Sequence, residues 1–145
     1  MVAGLFAAAV VYGGAFAAEQ LSTRHAVAAI MILVFLTGRE VLKSVPDTDG
    51  DVIAGYRTVA TRFGGAAAVG WFRVIAAAHL GIVAAWAPRS AGGAMYVVAV
   101  AVFVLPPTAV TLWHLRGRPD AAAVQRGIDR SGLVFAGGLV ALLLL

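Results

Sequence analysis

The chain has 145 residues, 61% of them hydrophobic and 12% charged, with no cysteine and a formal net charge of +4. A soluble domain carries about 25% charged residues; half that density cannot coat a water-soluble globule, so the composition is that of a membrane protein. Without cysteine there is no disulfide framework, zinc finger or thiolate nucleophile, and the positive charge forms no stripe on a water-facing domain that would receive nucleic acid.

A spanning helix needs roughly 20 mostly apolar residues, and five stretches reach or approach that length. Residues 2–18 carry no charge and lack the basic lead of a secretory signal, so they are expected to be a first helix, followed by a short polar loop through Glu19 and Arg24. Residues 26–38 run on through Val41 and Leu42, with Arg39, Glu40 and Lys43 at the exit. Residues 63–87 form a third span that contains Arg73 and His79 and stops at Pro88, which cannot continue the hydrogen-bond ladder. Residues 90–113 are uncharged, and Pro106-Pro107 is expected to kink them. Residues 131–145 are the fifth and shortest span.

If these five alternate across the bilayer, one side receives Arg24 and Arg89. The other receives Arg39, Lys43, Arg57, Arg62, Arg116, Arg118, Arg126 and Arg130. That bias makes the second side cytoplasmic. Trp86 and Trp113 then fall at opposite interfaces, as an aromatic belt requires. Alanine is the commonest residue and there are 17 glycines, side chains small enough for helix backbones to approach closely in lipid. The expected architecture is an all-α transmembrane bundle of five spanning helices forming one membrane domain over residues 1–145. Two polar segments, 39–62 and 114–130, lie on its cytoplasmic side.

Three of the seven carboxylates stand within five residues, Asp47, Asp49 and Asp51, directly after Pro46. Proline favours the first turn of a helix, and a helix there sets Asp47 and Asp51 on one face at i, i+4 spacing. Two like charges so close are sensible around a cation. Mg²⁺ fits, because it is commonly held by one or two carboxylates plus the phosphate oxygens of a substrate. Lys43, Arg57 and Arg62 could meet the remaining phosphate charge. A calcium loop of the EF-hand type fits poorly: its sixth position requires Gly and holds Val52, and its twelfth requires Glu and holds Thr58. The plainer alternative is a solvated interfacial turn whose acids balance nearby arginines.

The segment from Gly38 to Gly64, with Arg39-Glu40, Lys43, Pro46-Asp47, Gly50-Asp51, Gly55, Arg57-Thr58 and Phe63-Gly64, resembles the second aspartate-rich motif of the UbiA superfamily of intramembrane prenyltransferases. The resemblance implies a magnesium-dependent enzyme that binds a polyprenyl diphosphate, ionises its allylic C–O bond and lets an aromatic or lipid acceptor capture the carbocation. It assigns Asp47 and Asp51 to the metal, with Asp49 supporting, and Lys43 and Arg57 to the diphosphate; Arg39 and Arg62, basic residues flanking the motif, are further diphosphate candidates. Ser44 stands where many relatives have an additional Asp. Members of the family have nine helices and two such motifs. This chain resembles their C-terminal five helices, and a separate or upstream N-terminal half would supply the first motif.

The implied localisation is a multi-pass protein of the cell membrane with the motif loop cytoplasmic. Phe72, Phe103 and Trp113 are candidate walls for the prenyl tail, and Arg73, about 15 Å along its helix from Phe63, is a candidate site residue because an intramembrane cation is costly. His79, deeper still, is expected to make a helix contact. A non-catalytic assembly partner or lipid head-group binder is the alternative from another functional class.

Overall fold

The computed structural model describes residues 8, 9, 13, 22–89, 93–117 and 119–142. Among them there is helix and no strand. Among the described residues, three helices are long and apolar enough to cross a membrane: Thr23–Lys43, Gly65–Arg89 and Ala94–His114. Of the expected first span, residues 2–18, all but 8, 9 and 13 lie outside the described residues.

Helix α1, Thr23–Lys43, starts behind Ser22, whose extended backbone and hydroxyl pair with His25: the Ser22 N–H donates to His25 Nδ1 at 3.2 Å. It ends with Lys43 in its last turn, where a cation complements the helix dipole. A turn leads to the short helix α2, Thr48–Ile53. Helix α3, Val59–Phe63, is capped by Thr58, whose hydroxyl accepts from the Thr61 N–H. Gly64, at φ 84°, breaks the helix between α3 and α4; only glycine enters that region without a Cβ penalty.

Helix α4, Gly65–Trp86, stops where Pro88 withholds an N–H, and the chain tightens into a 3₁₀ turn, Ala87–Arg89. The next rod has three parts: α5, Ala94–Ala99; a π-helical turn, Val100–Val104; and α6, Leu105–His114. The π turn has a local cause. Pro106 and Pro107 cannot donate to the carbonyls four residues back and their rings crowd them, so the backbone takes in an extra residue and the Leu105 N–H reaches Val100 O, the i to i+5 bond of a π-bulge. The irregularity expected at the prolines thus falls just upstream of them, as a π turn.

Helix α7, Ala121–Leu142, differs from expectation at its start. Residues 121–130, read from sequence as loop, are its first ten residues. Asp120 explains this: its Oδ1 accepts the Ala123 N–H at 2.6 Å, an N-cap that satisfies one of the first-turn donors. With Arg126, Asp129 and Arg130 inside it, α7 is not among the three helices apolar enough to span.

Successive long rods run antiparallel. At one end, Leu42, Val69, Phe72, Leu115, Val124 and Ile128 form a core of α1, α4, the α6 end and α7. At the other, Ala28, Met31, Val83, Tyr96, Val100, Val134 and Ala141 form a second core. Contacts are close where side chains vanish. A Cβ on Gly38 would stand 3.0 Å from Ile75, and one on Gly127 would stand 3.3 Å from both Leu42 and Thr111. Large apolar side chains, among them Ile30, Leu33, Trp71, Val74, Val98 and Val102, face outward. In water they would be a liability, whereas in hydrocarbon they are the expected outer surface.

Candidate functional site

The acidic turn sits at the end of the bundle where α1 finishes and α4 begins. Thr48 anchors it, its hydroxyl lying within hydrogen-bond distance of the carbonyls of both Ser44 and Val45 at 2.9 and 2.8 Å. Asp47 is the N-cap of α2, so helix proper starts two residues after Pro46, and its carboxylate makes no capping bond. The Asp51 N–H donates to the Asp47 carbonyl at 2.8 Å, which places the two residues one turn apart on one face. Asp49 lies about half a turn round from both. Asp47 and Asp49 are exposed and Asp51 is half-buried. None of the three makes an ion pair among the described residues.

The three acids do not converge. Among the described residues, no group of three His, Asp or Glu side chains could hold a metal ion. Two carboxylates on one helical face are still the number that Mg²⁺ commonly takes from protein when phosphate oxygens complete its shell, so Asp47 and Asp51 fit such an ion and Asp49 adds a nearby charge.

The basic residues divide into two sets. Arg57 and Arg62 are exposed beside the turn, and the Arg62 guanidinium lies over the Phe63 ring at 5.3 Å. Lys43 and Arg39 turn to Glu40 instead, at 3.7 and 3.6 Å from its Oε1. Arg39 also points inward, its Nε donating to Ser131 Oγ at 3.1 Å. It lines a cavity of about 30 Å³ together with Phe72, His79, Thr108, Thr111 and Ser131. Neither Asp47, Asp51, Lys43, Arg57 nor Arg62 lines it. Arg39 therefore connects the polar end of the bundle to its interior.

Deeper residues follow the same division. Arg73 is half-buried, with Nη2 3.5 Å from the Gly117 carbonyl, so it ties α4 to the turn after α6. His79 packs its ring against Phe35 with centroids 5.5 Å apart. Of the three aromatic residues expected to wall a tail, Phe72 does line the cavity, but Phe103 and Trp113 do not. They are 50% and 65% exposed: Phe103 lies in the π turn against Gly137 of α7, and Trp113, at the end of its helix, has the Arg116 guanidinium over its ring at 4.4 Å.

Sequence reasoning missed Thr108, Thr111 and Ser131 as interior polar groups. A signal existed for Arg39 and Ser131, each of which falls within a buried stripe at helical spacing: Leu36, Arg39, Leu42 in α1 and Val124, Ile128, Ser131, Val134 in α7.

No family model, curated protein or solved structure matches the chain.

Proposed function

We propose that the chain is the motif-bearing part of an integral membrane prenyltransferase that transfers a polyprenyl group from its diphosphate to an aromatic or lipid acceptor. The observation that carries this reading is the Asp47 and Asp51 pair, one helical turn apart and free of ion pairs among the described residues, within the 27-residue segment that resembles the second UbiA motif.

In this proposal Asp47 and Asp51 hold Mg²⁺, and Lys43, Arg57 and Arg62 receive the diphosphate with Arg39 behind them at the cavity. Magnesium, when bound, supplies the positive charge that stabilises the leaving diphosphate as its bond to carbon breaks. The chain's own residues orient that group: flexible cations at the rim take up phosphate oxygens, and the apolar interior keeps water from the allylic carbon. The motif loop faces the cytoplasm of the cell membrane, and a first aspartate-rich motif comes from an upstream segment or a separate chain.

The test is Mg²⁺-dependent release of diphosphate from geranylgeranyl diphosphate in membranes, with Asp47→Asn and Asp51→Asn compared with the wild type. Both variants should lose it. Release that persists unchanged in both, or that is absent from the wild type when a first motif is supplied, removes the enzyme reading. The remaining alternative, a non-catalytic head-group binder, is favoured by the outward position of Asp47, Asp49, Arg57 and Arg62, and would retain phosphate-dependent binding without release.

A further inference from the structure

Four large apolar side chains at the polar end of the bundle are left uncovered by the fold. Val52 and Ile53 end α2, Tyr56 follows the turn after it, and Phe63 ends α3. All four are exposed, and Ile53, at 89%, is the most exposed large apolar residue among those described. Neither core includes any of them. Outward residues of the long rods, such as Val74 in the middle of α4, are covered by hydrocarbon. These four lie beyond the rods, between Lys43 at the end of α1 and Gly65 at the start of α4, where only water or lipid head groups can meet them.

Three observations favour the head groups. First, the segment is tied to the rod ends. Thr48 bonds the Ser44 and Val45 carbonyls, and Thr61 Oγ1 lies 3.2 Å from the Tyr56 carbonyl. Helix α2 is about 9 Å long at the usual rise, and the head-group layer adds roughly 5–8 Å to each side of the hydrocarbon, so the segment is within reach of that layer.

Second, its chemistry is divided. By helical geometry Val52 and Ile53 flank the direction opposite to Asp47 and Asp51, so the apolar pair can enter lipid while those two acids stay in water. From Val52 to Gly64 there is no carboxylate, and the charges are those of Arg57 and Arg62, both exposed. Phosphate oxygens are the natural acceptors for two guanidinium groups.

Third, the Arg62 guanidinium lies over the exposed Phe63 ring at 5.3 Å, and Arg116 lies over the exposed Trp113 ring at 4.4 Å. Both pairs stand at the same end of the bundle, where Leu42, Val69 and Leu115 share one core. An aromatic ring at the acyl boundary with a cation lifted toward the phosphates is the pattern of a membrane interface.

We propose that residues 52–63 form an interfacial anchor: Val52, Ile53, Tyr56 and Phe63 enter the acyl boundary of the surrounding leaflet, and Arg57 and Arg62 bind the phosphates of its lipids. The C-terminal end of α2 is the deeper one, since Asp49 shares the apolar side a turn nearer α1. This inference does not rest on the prenyltransferase reading, because it holds whether or not Asp47 and Asp51 bind a metal.

The chain has no cysteine, so a nitroxide can be attached at one position at a time in the full chain in phosphatidylcholine nanodiscs, through Ile53→Cys, Tyr56→Cys, Asp47→Cys or Val74→Cys. Collisions with oxygen, which concentrates in lipid, and with a water-soluble nickel chelate report the surroundings of each label. The labels at 53 and 56 should resemble the one at 74, with frequent oxygen collisions and nickel collisions about tenfold rarer than at 47, because a polar complex is excluded from apolar surroundings. Adding Arg57→Gln and Arg62→Gln should at least roughly double the nickel collisions at 56, since the charge-assisted bonds to phosphate are lost; no change there overturns the role given to the arginines. Nickel collisions at 53 and 56 as frequent as at 47 overturn the anchor. Collisions rare with both probes overturn it as well, being the mark of a partner protein or a second copy over the patch. Either label decides the outcome should the other variant not fold.

Discussion

Gly137 of α7 lies directly against Phe103 in the π turn: a Cβ built there would collide with the Phe103 Cβ and stand 3.2 Å from its carbonyl oxygen. The contact ties two sequence features together. Pro107 cannot donate to the Phe103 carbonyl, the turn widens to accommodate that, and the widened turn has room beside α7 only because position 137 has no side chain. Gly137→Ala should therefore destabilise the bundle by about 1–3 kcal/mol, the usual cost of overpacking a filled core. Gly132→Ala, on the same helix with nothing within 4 Å of the new methyl, should be stabilising by roughly 0.5–1 kcal/mol through helix propensity. Thermal unfolding of both variants in one detergent decides this, and equal midpoints would mean that α7 does not pack as described.

Asp120 sets where α7 begins. Its carboxylate receives the Ala123 N–H and its backbone carbonyl receives the Val124 N–H, so Asp120→Ala should cost about 0.5–2 kcal/mol. The loss should be local at first, appearing as faster amide exchange over residues 121–125 while α1 and α4 keep their protection. Asp120→Asn, which retains the cap oxygen, should exchange almost like the wild type.

The same residue marks the limit of what the sequence revealed. Length and apolar content located α1, α4 and the α5–α6 rod to within a few residues, because a charge or a proline closes each of them: Lys43, Pro88, and the basic turn after His114. Hydropathy failed at α7. Arg126, Asp129 and Arg130 lower the mean over its first turns and hide a helix whose start is written in a different code, Pro119-Asp120 followed by three alanines. At the candidate site, the one-turn spacing of Asp47 and Asp51 was legible from Pro46 and helix geometry. The inward turn of Arg39 was not, because its partner Ser131 is 92 residues away and only the packing of α1 on α7 brings the two together.

Ser131→Ala tests that packing. It removes the oxygen that Arg39 Nε donates to and leaves a half-buried guanidinium short of a partner, a loss of about 1–3 kcal/mol. Arg39→Leu should cost less than the sum of the two single effects when combined with Ser131→Ala, since the pair then disappears together. A double-mutant cycle on unfolding midpoints measures the coupling. A coupling of zero would show that Arg39 and Ser131 do not meet.

The acidic turn should behave in the opposite way. Asp47 is exposed, Asp51 is half-buried, and neither makes an ion pair or a side-chain hydrogen bond among the described residues. Replacing both with Asn should therefore change stability by no more than about 0.5 kcal/mol, as surface substitutions usually do. It should even relieve some repulsion between like charges one turn apart. If Asp47 and Asp51 serve a divalent ion, their signature is a ligand effect. Millimolar Mg²⁺ with inorganic diphosphate should raise the unfolding midpoint of the wild type, by the mass-action stabilisation of any ligand that prefers the folded state, and should leave the Asp47→Asn/Asp51→Asn variant where it was. A midpoint that rises equally in both proteins would place the ion elsewhere and leave these two acids as a solvated turn.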